Sequence, residues 1–252
     1  DASFGSSFTR LYQQMKDLRY HKQIFKQVNE VCYMTDFPKL DLFSSFKKRY
    51  PFVTSAAVSI NYSNEFSKQL YKDYDPKVSR PFWTSVSGNL GTIYRQKVLK
   101  TIDEFVKNSS SCVKFEHNRN IKKLQKIFFW SVGKSMLPLD QYFDLLRNSN
   151  FTICLPGTYW TPRPFESITC GAIPILGDDY LHSYDIPFED NVNCVIIKNS
   201  DNLMNWSSVL KRIQNFSDKK ILSMREKIHQ LRKTHLLPNV YTRRQIERFG
   251  IL

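Results

Sequence analysis

The sequence predicts an α/β fold: a parallel sheet with helices on both faces. Three observations carry this. Two apolar runs of strand length, Phe151 to Leu155 and Ala172 to Leu176, flank a short helical segment within residues 150–189, NFTICLPGTYWTPRPFESITCGAIPILGDDYLHSYDIPFE. Phe82 to Ser87 is a further strand that runs through a glycine turn into a helix. Strands joined through helices form βαβ units, and such units build parallel sheets.

The elements follow in order. Residues 1–80 read as a partial N-terminal region. Residues 6–33 place Phe8, Leu11, Tyr12, Met15 and Leu18 at helical spacing, which suggests one or two helices. Phe43 to Tyr50 reads as a short helix closed by Pro51, Phe52 to Tyr62 as a strand and Asn64 to Tyr74 as a helix. Asp75-Pro76 and Arg80-Pro81 mark a boundary. Residues 81–217 form the main domain. Phe82–Ser87 leads into Gly88-Asn89-Leu90-Gly91 and a helix over Thr92–Lys107; Cys112–Glu116 is a strand, and Asn118–Lys126 is basic and carries no assignment. Gly133-Lys134-Ser135 is not a P-loop, because Phe128 stands where that motif needs its first glycine. A helix over Pro138–Asn148 shows Leu139, Tyr142, Phe143 and Leu146 on one face. After the central stretch come a strand over Asn193–Lys198 and a helix over Asn202–Ile213. Residues 218–252 hold a last amphipathic helix, Lys219–Leu237, on which His229 and His235 read as solvated.

In an open parallel sheet, ligands bind outside the carboxyl ends of the strands. Those ends carry Gly157–Thr161 and Gly177–Tyr180. Pro162 or Pro164 suits the first turn of a helix over Arg163–Thr169, and Gly171 suits its C′ position. A helix N-terminus and the Arg163 cation favour phosphate, and Glu166 one turn on is placed to accept hydrogen bonds from ribose hydroxyls. Gly88 and Arg95 give a second, weaker phosphate-cradle geometry. At this level two readings stand side by side: a nucleotide-type site, or a βαβ core whose Arg163 and Glu166 form a local ion pair.

The residues of this stretch resemble the nucleotide-sugar half of the exostosin family. The resemblance is carried by Ser149, Phe151 and Cys154-Leu155-Pro156-Gly157, then Arg163, Phe165-Glu166-Ser167, then Cys170-Gly171-Ala172-Ile173-Pro174-Ile175, Asp179 and Ile186-Pro187-Phe188-Glu189. The family pattern reads roughly S-x-F-C-L-x-P-x-G, R-x-F-E-A, G-x-I-P-V-I, S-D and L-P-F-E. This chain departs from it at Thr152-Ile153, at Ser167 for Ala, and at Gly177-Asp178 where Ser is common. The resemblance implies two Rossmann-like domains (the GT-B architecture), with the N-terminal half incomplete in residues 1–80 and the last helix packing back across the domain junction. It also implies an inverting, metal-independent glycosyltransferase that uses a nucleotide-sugar, a UDP-sugar by expectation, as substrate and no cofactor. Arg163 and Arg95 would hold phosphate and Glu166 ribose. Gly88, Gly157 and Thr158 would line the donor, Tyr159 or Trp160 would stack or line the pocket, and Asp179 would touch the donor sugar. His117, after a strand, is the candidate general base, with a plain surface-loop role as its alternative. Asp178-Asp179 are adjacent, so their side chains diverge and do not suit a chelated metal.

Composition sets the outer bounds. The 252 residues are 41% hydrophobic and 14% aromatic, enough to bury a core in one large domain or two modest ones. Lys and Arg number 37 against 23 Asp and Glu, a net +14 that suits an acidic partner such as an acidic polysaccharide acceptor, or equally a solvated surface. No recognition motif points to nucleic acid, and a non-catalytic glycan-binding or scaffold module is the other alternative to an enzyme. Five cysteines without a C-x-x-C pair argue against zinc and against a complete disulfide set. No apolar run approaches the roughly 20 residues of a membrane span. Five N-x-S/T sequons start at Asn61, Asn108, Asn150, Asn205 and Asn215. With the resemblance, these suggest a Golgi-lumenal protein whose type II anchor lies upstream of Asp1.

Overall fold

A computed structural model describes residues 31–34, 53–56, 64–88, 92–115, 126–133, 137–155, 163–178, 186–238 and 240, with side chains from residue 67 onward. Six strands form one all-parallel sheet: β3 (Phe82–Gly88), β4 (Cys112–Lys114), β5 (Lys126–Val132), β6 (Ser149–Ile153), β7 (Ile173–Gly177) and β8 (Val195–Ile197). Their spatial order is β4-β5-β3-β6-β7-β8. The two apolar runs of the central stretch are adjacent inner strands, with Phe151 opposite Ile173 and Ile153 opposite Ile175. Every residue of β7 is buried, as an inner parallel strand covered on both faces requires.

Helix α1 (Asn64–Leu70) precedes the sheet, and α2 (Ile93–Asn108) follows β3. Next come α3 (Leu139–Arg147), α4 (Arg163–Thr169), α5 (Leu203–Gln214) and α6 (Asp218–Leu231). The chain leaves β3 toward the β4 edge and later crosses from β6 toward the β8 edge. Right-handed crossovers in opposite directions place α2 and α4 on opposite faces of the sheet. Accordingly α2 packs with α5, while α4 packs with α3 and α6. One apolar cluster runs through both layers, from Ile102 and Trp206 to Phe143, Phe151, Ile168 and Ile228.

The structure corrects three sequence expectations. Strand β5 was not expected: Lys126–Val132 lies between β4 and β3, pairing Thr84 with Phe128 and Gly88 with Val132. Its K-I-F-F-W-S-V run has strand length, but a continuous apolar run has no period to distinguish strand from helix. In the small parallel pair β1 (Val31–Met34) and β2 (Val53–Ala56), β2 falls within the expected strand, but β1 replaces the end of an expected helix. Valine and tyrosine favour the extended chain there. The expected Phe43–Tyr50 helix lies outside the described residues. The last helix is α-helical only to Leu231 and closes as a π-turn over Arg232–Leu236, where the Leu237 N–H donates to the Arg232 carbonyl at 3.1 Å.

This C-terminal helix is tied to the segment that enters the sheet. Arg225 donates to the Val78 carbonyl at 2.6 Å and to Asn150 Oδ1 at 3.3 Å. Arg232 donates to Asp73 at 2.9 Å and to the Tyr71 carbonyl at 2.6 Å. The Tyr74 ring has guanidinium groups of Arg80 at 5.6 Å and Arg232 at 5.0 Å. His229 is not solvated as expected; it packs edge-on against Tyr74 at 5.2 Å, and burial, with Lys233 and Arg232 nearby, pushes its pKa down. Among the described residues no helix is long and apolar enough to cross a membrane.

Gly171 closes α4 as expected. Its N–H bonds the Ile168 carbonyl at 3.0 Å, and the Ala172 N–H bonds Ser167 at 2.8 Å, the two bonds of a Schellman cap. Its φ is +83°, and a Cβ there would stand 2.4 Å from the Tyr74 ring and 2.7 Å from Arg80 Nη2. Gly171→Ala should therefore cost about 2 kcal/mol or more in urea unfolding. Gly133→Ala is the control: a Cβ at Gly133 meets nothing within 4 Å, so its stability should stay within about 1 kcal/mol of the parent.

Candidate functional site

The strand order reverses direction between β3 and β6, and such a switch point opens a crevice at the carboxyl ends of the two strands. Gly88 ends β3 there with φ +145°, a backbone setting that glycine tolerates best. An added Cβ would lie 3.6 Å from both Arg163 Nη1 and Leu155 Cδ1, so the end of β3, the second residue after β6 and α4 converge at one point. Arg163 opens α4, with Pro164 behind it in the first turn, where a missing N–H leaves no helical bond unmade. Arg163 Nη1 donates to the Ser87 carbonyl. Its guanidinium lies over the Tyr142 ring, 5.4 Å from the centroid. Its Nε is buried and has no partner among the described residues. Burial opposes the charge, but Tyr142 and Glu166 more than offset it and hold the group firmly cationic.

Glu166 lies one turn further on and is 6% exposed. Its Oε2 accepts a 2.7 Å hydrogen bond from the Tyr142 hydroxyl. Burial, aided by the Glu166 charge and opposed by Arg163, pushes the Tyr142 hydroxyl well above its usual range, so it stays protonated and donates. Beneath the helix, the Ser167 hydroxyl donates to the Arg163 carbonyl and stands 3.8 Å from Cys154 Sγ. Tyr142 is the contact to both residues that sequence reasoning missed. Helical spacing marked it as core, and it is core; only its polar tip, which a buried tyrosine must satisfy, could have signalled more.

The structure thus brings together Gly88, Arg163 and Glu166. Arg95 stands at the same carboxyl edge, half-buried in the first turn of α2, its N–H bonded to the Thr92 cap hydroxyl at 3.1 Å. His117, Gly157, Thr158, Tyr159 and Asp179 lie outside the described residues, as does Trp160. The Asp178 carboxylate accepts the Asn199 N–H at 3.2 Å. Among the described residues no group of three or more His, Cys, Asp or Glu is placed to hold a metal.

The family model described as the Exostosin GT47 domain matches residues 12–210. The chain belongs to this family. No curated protein matches it by sequence. Among solved structures it is similar to an alpha-glucosyltransferase bound to UDP-glucose and DNA containing an abasic site, with TM-score 0.54 and 12% identity over 90% of this chain and 66% of that one. It is likewise similar to S. aureus TarM in complex with Fondaparinux, alpha-GlcNAc-glycerol and UDP, with TM-score 0.55 and 12% identity over 89% of this chain and 44% of TarM. A second alpha-glucosyltransferase complex, with UDP and a 13-mer DNA, gives TM-score 0.52 at 12% identity, covering 89% of this chain and 66% of that one. These likenesses show the GT-B-type fold. The chain spans less than two thirds of the length of each.

The cysteines around α4 provide a direct check of this packing. Cys154, Cys170 and Cys194 are free and have no exposed surface. Burial pushes the thiols of Cys154 and Cys170 up to about 12 and raises that of Cys194 as well. Because the thiolate is the reactive form, all three should resist alkylation in the folded protein and react only in denaturant. Mass spectrometry of the labelled peptides reads this directly.

Proposed function

We propose that this chain is the donor-binding part of an inverting, metal-independent glycosyltransferase that moves a sugar from a UDP-sugar to a hydroxyl of a glycan or glycoprotein. The observation that carries the reading is Arg163: a cation fixed at the strand switch point, beside Gly88, with a buried Nε–H free of protein partners among the described residues. An anion with oxygens to share is the chemistry that completes such a group. Glycosyl transfer leaves charge on the departing diphosphate, and a preorganised guanidinium stabilises that charge as it grows. Glu166 is placed to grip ribose, which does not change in the reaction, and Arg95 is assigned a supporting phosphate contact. Gly157, Thr158, Tyr159 and Asp179 are assigned to the donor on the sequence pattern, and His117 is the candidate base. In this reading residues 81–217 bind the donor, 1–80 belong to the acceptor side, and 218–252 pack back on the junction between them. An acidic polysaccharide is the favoured acceptor class, on the net charge of +14.

Arg163→Ala should lower kcat as well as donor affinity, because its contact strengthens in the transition state. Glu166→Ala should mainly raise the donor KM, because it removes binding shared by ground and transition states. Each loss should be about 1.5–3 kcal/mol. Activity should persist in EDTA, and NMR of the product should show an inverted anomeric centre. If both variants bind UDP and turn over donor like the parent, the site is misassigned.

The reading extends to the Golgi lumen, with a type II anchor outside this chain. The sequons support it: Asn108 and Asn215 are exposed, whereas the Asn150 amide is engaged by the Phe82 carbonyl and Arg225. Glycosidase digestion of the full-length protein from cells should shift its mass, and an unglycosylated cytosolic product would overturn this placement.

A further inference from the structure

Tyr142 touches both residues assigned to the donor without belonging to their helix. It sits on α3, buried, with its hydroxyl 2.7 Å from Glu166 Oε2 and its ring beneath the Arg163 guanidinium. The α3 helix runs through Asn148 directly into β6, one of the two strands that form the switch point. Its place is therefore fixed by its direct continuation into the sheet.

A carboxylate and a guanidinium three residues apart on one helix face are within reach of each other. Left alone, they would pair, and the pair would use the same groups a diphosphate and a ribose need. The Tyr142 hydroxyl takes one Glu166 oxygen, and its ring offers the guanidinium a flat, water-free seat. Each contact restricts one partner to one orientation. Phenylalanine at this position would keep the seat and lose the tether; leucine would lose both.

We propose that Tyr142 is a positioning residue for the donor: its hydroxyl tethers the Glu166 carboxylate while its ring seats the Arg163 guanidinium, so that the two present themselves to a nucleoside diphosphate as one unit. The proposal rests on the donor-site reading given above. Tyr142 itself touches no ligand.

The test is UDP binding by titration calorimetry, with donor kinetics alongside, in parent, Tyr142→Phe, Glu166→Ala and the Tyr142→Phe/Glu166→Ala double variant. Tyr142→Phe should weaken UDP on the order of tenfold and raise the donor KM by a similar factor, with kcat changed by less than about threefold. A residue that merely fills the core would lower the melting temperature without this split. The double variant has no carboxylate to bury, so it also guards against misfolding of the single one. It should bind UDP as Glu166→Ala does, because alanine leaves the tether no oxygen to hold. Tyr142→Phe binding UDP within about twofold of the parent would overturn the proposal, as would a further tenfold loss in the double variant. If Arg163→Ala and Glu166→Ala bind UDP like the parent, the donor-site reading falls first and takes the proposal with it.

Discussion

The site depends on one contact, the hydrogen bond from Arg163 on α4 to the Ser87 carbonyl at the end of β3. That carbonyl belongs to the strand at which the sheet changes direction. The donor comes from a helix that follows β6, three strands later in the chain. The bond therefore ties the first strand of the sheet to the βαβ unit built on β6 and β7. Gly88 holds the strand end at a φ that L-residues rarely adopt. With the strand end so fixed, Glu166 follows from helix geometry and Tyr142 from the packing of α3 on α4.

Much of this was legible in the sequence, for reasons that differ from element to element. The α4 boundaries match because proline and glycine mark both ends of a short helix, and neither residue leaves the chain much choice. β6 and β7 were legible because short apolar runs bounded by turn residues in a βαβ order have one sensible partner. β5 was not, because its aromatic run carries no alternation and its neighbours, residues 116–125, are polar and basic. Its position between β4 and β3 gives an order other than the 3-2-1-4-5-6 of the common dinucleotide-binding sheet. Arg163 and Glu166 were legible as types in a pattern. Tyr142 was not, because the tether is a tertiary contact across two helices and nothing in the spacing of α3 distinguishes it from Phe143 beside it.

The net charge of +14 also reads differently with the structure in view. Arg80, Arg225 and Arg232 are buried, and they bond the backbone carbonyls of Ser149, Val78 and Tyr71. Arg147 likewise donates to the carbonyl of Gln69. Arg225 and Arg232 reach carbonyls in the segment before β3, and Arg80 and Arg147 reach those at the start of β6 and the end of α1, a task suited to a planar fork of N–H groups. A basic composition here is partly architectural, and the surface lysines carry the share that an anionic partner would meet.

The cap at Gly171 has a mechanical side. The α4 helix is held at its first residue by the strand end, and at its last turn Tyr74 and Arg80 lie directly over Gly171, where a side chain would otherwise stand. Seven residues of helix measure about 10 Å, too short to bend. The segment carrying Tyr74 and Arg80 is the part of the chain that joins residues 1–70 to the sheet, and Arg225 and Arg232 hold it from behind. One short helix thus carries the segment from residues 1–70 at one end and the guanidinium of Arg163 at the other.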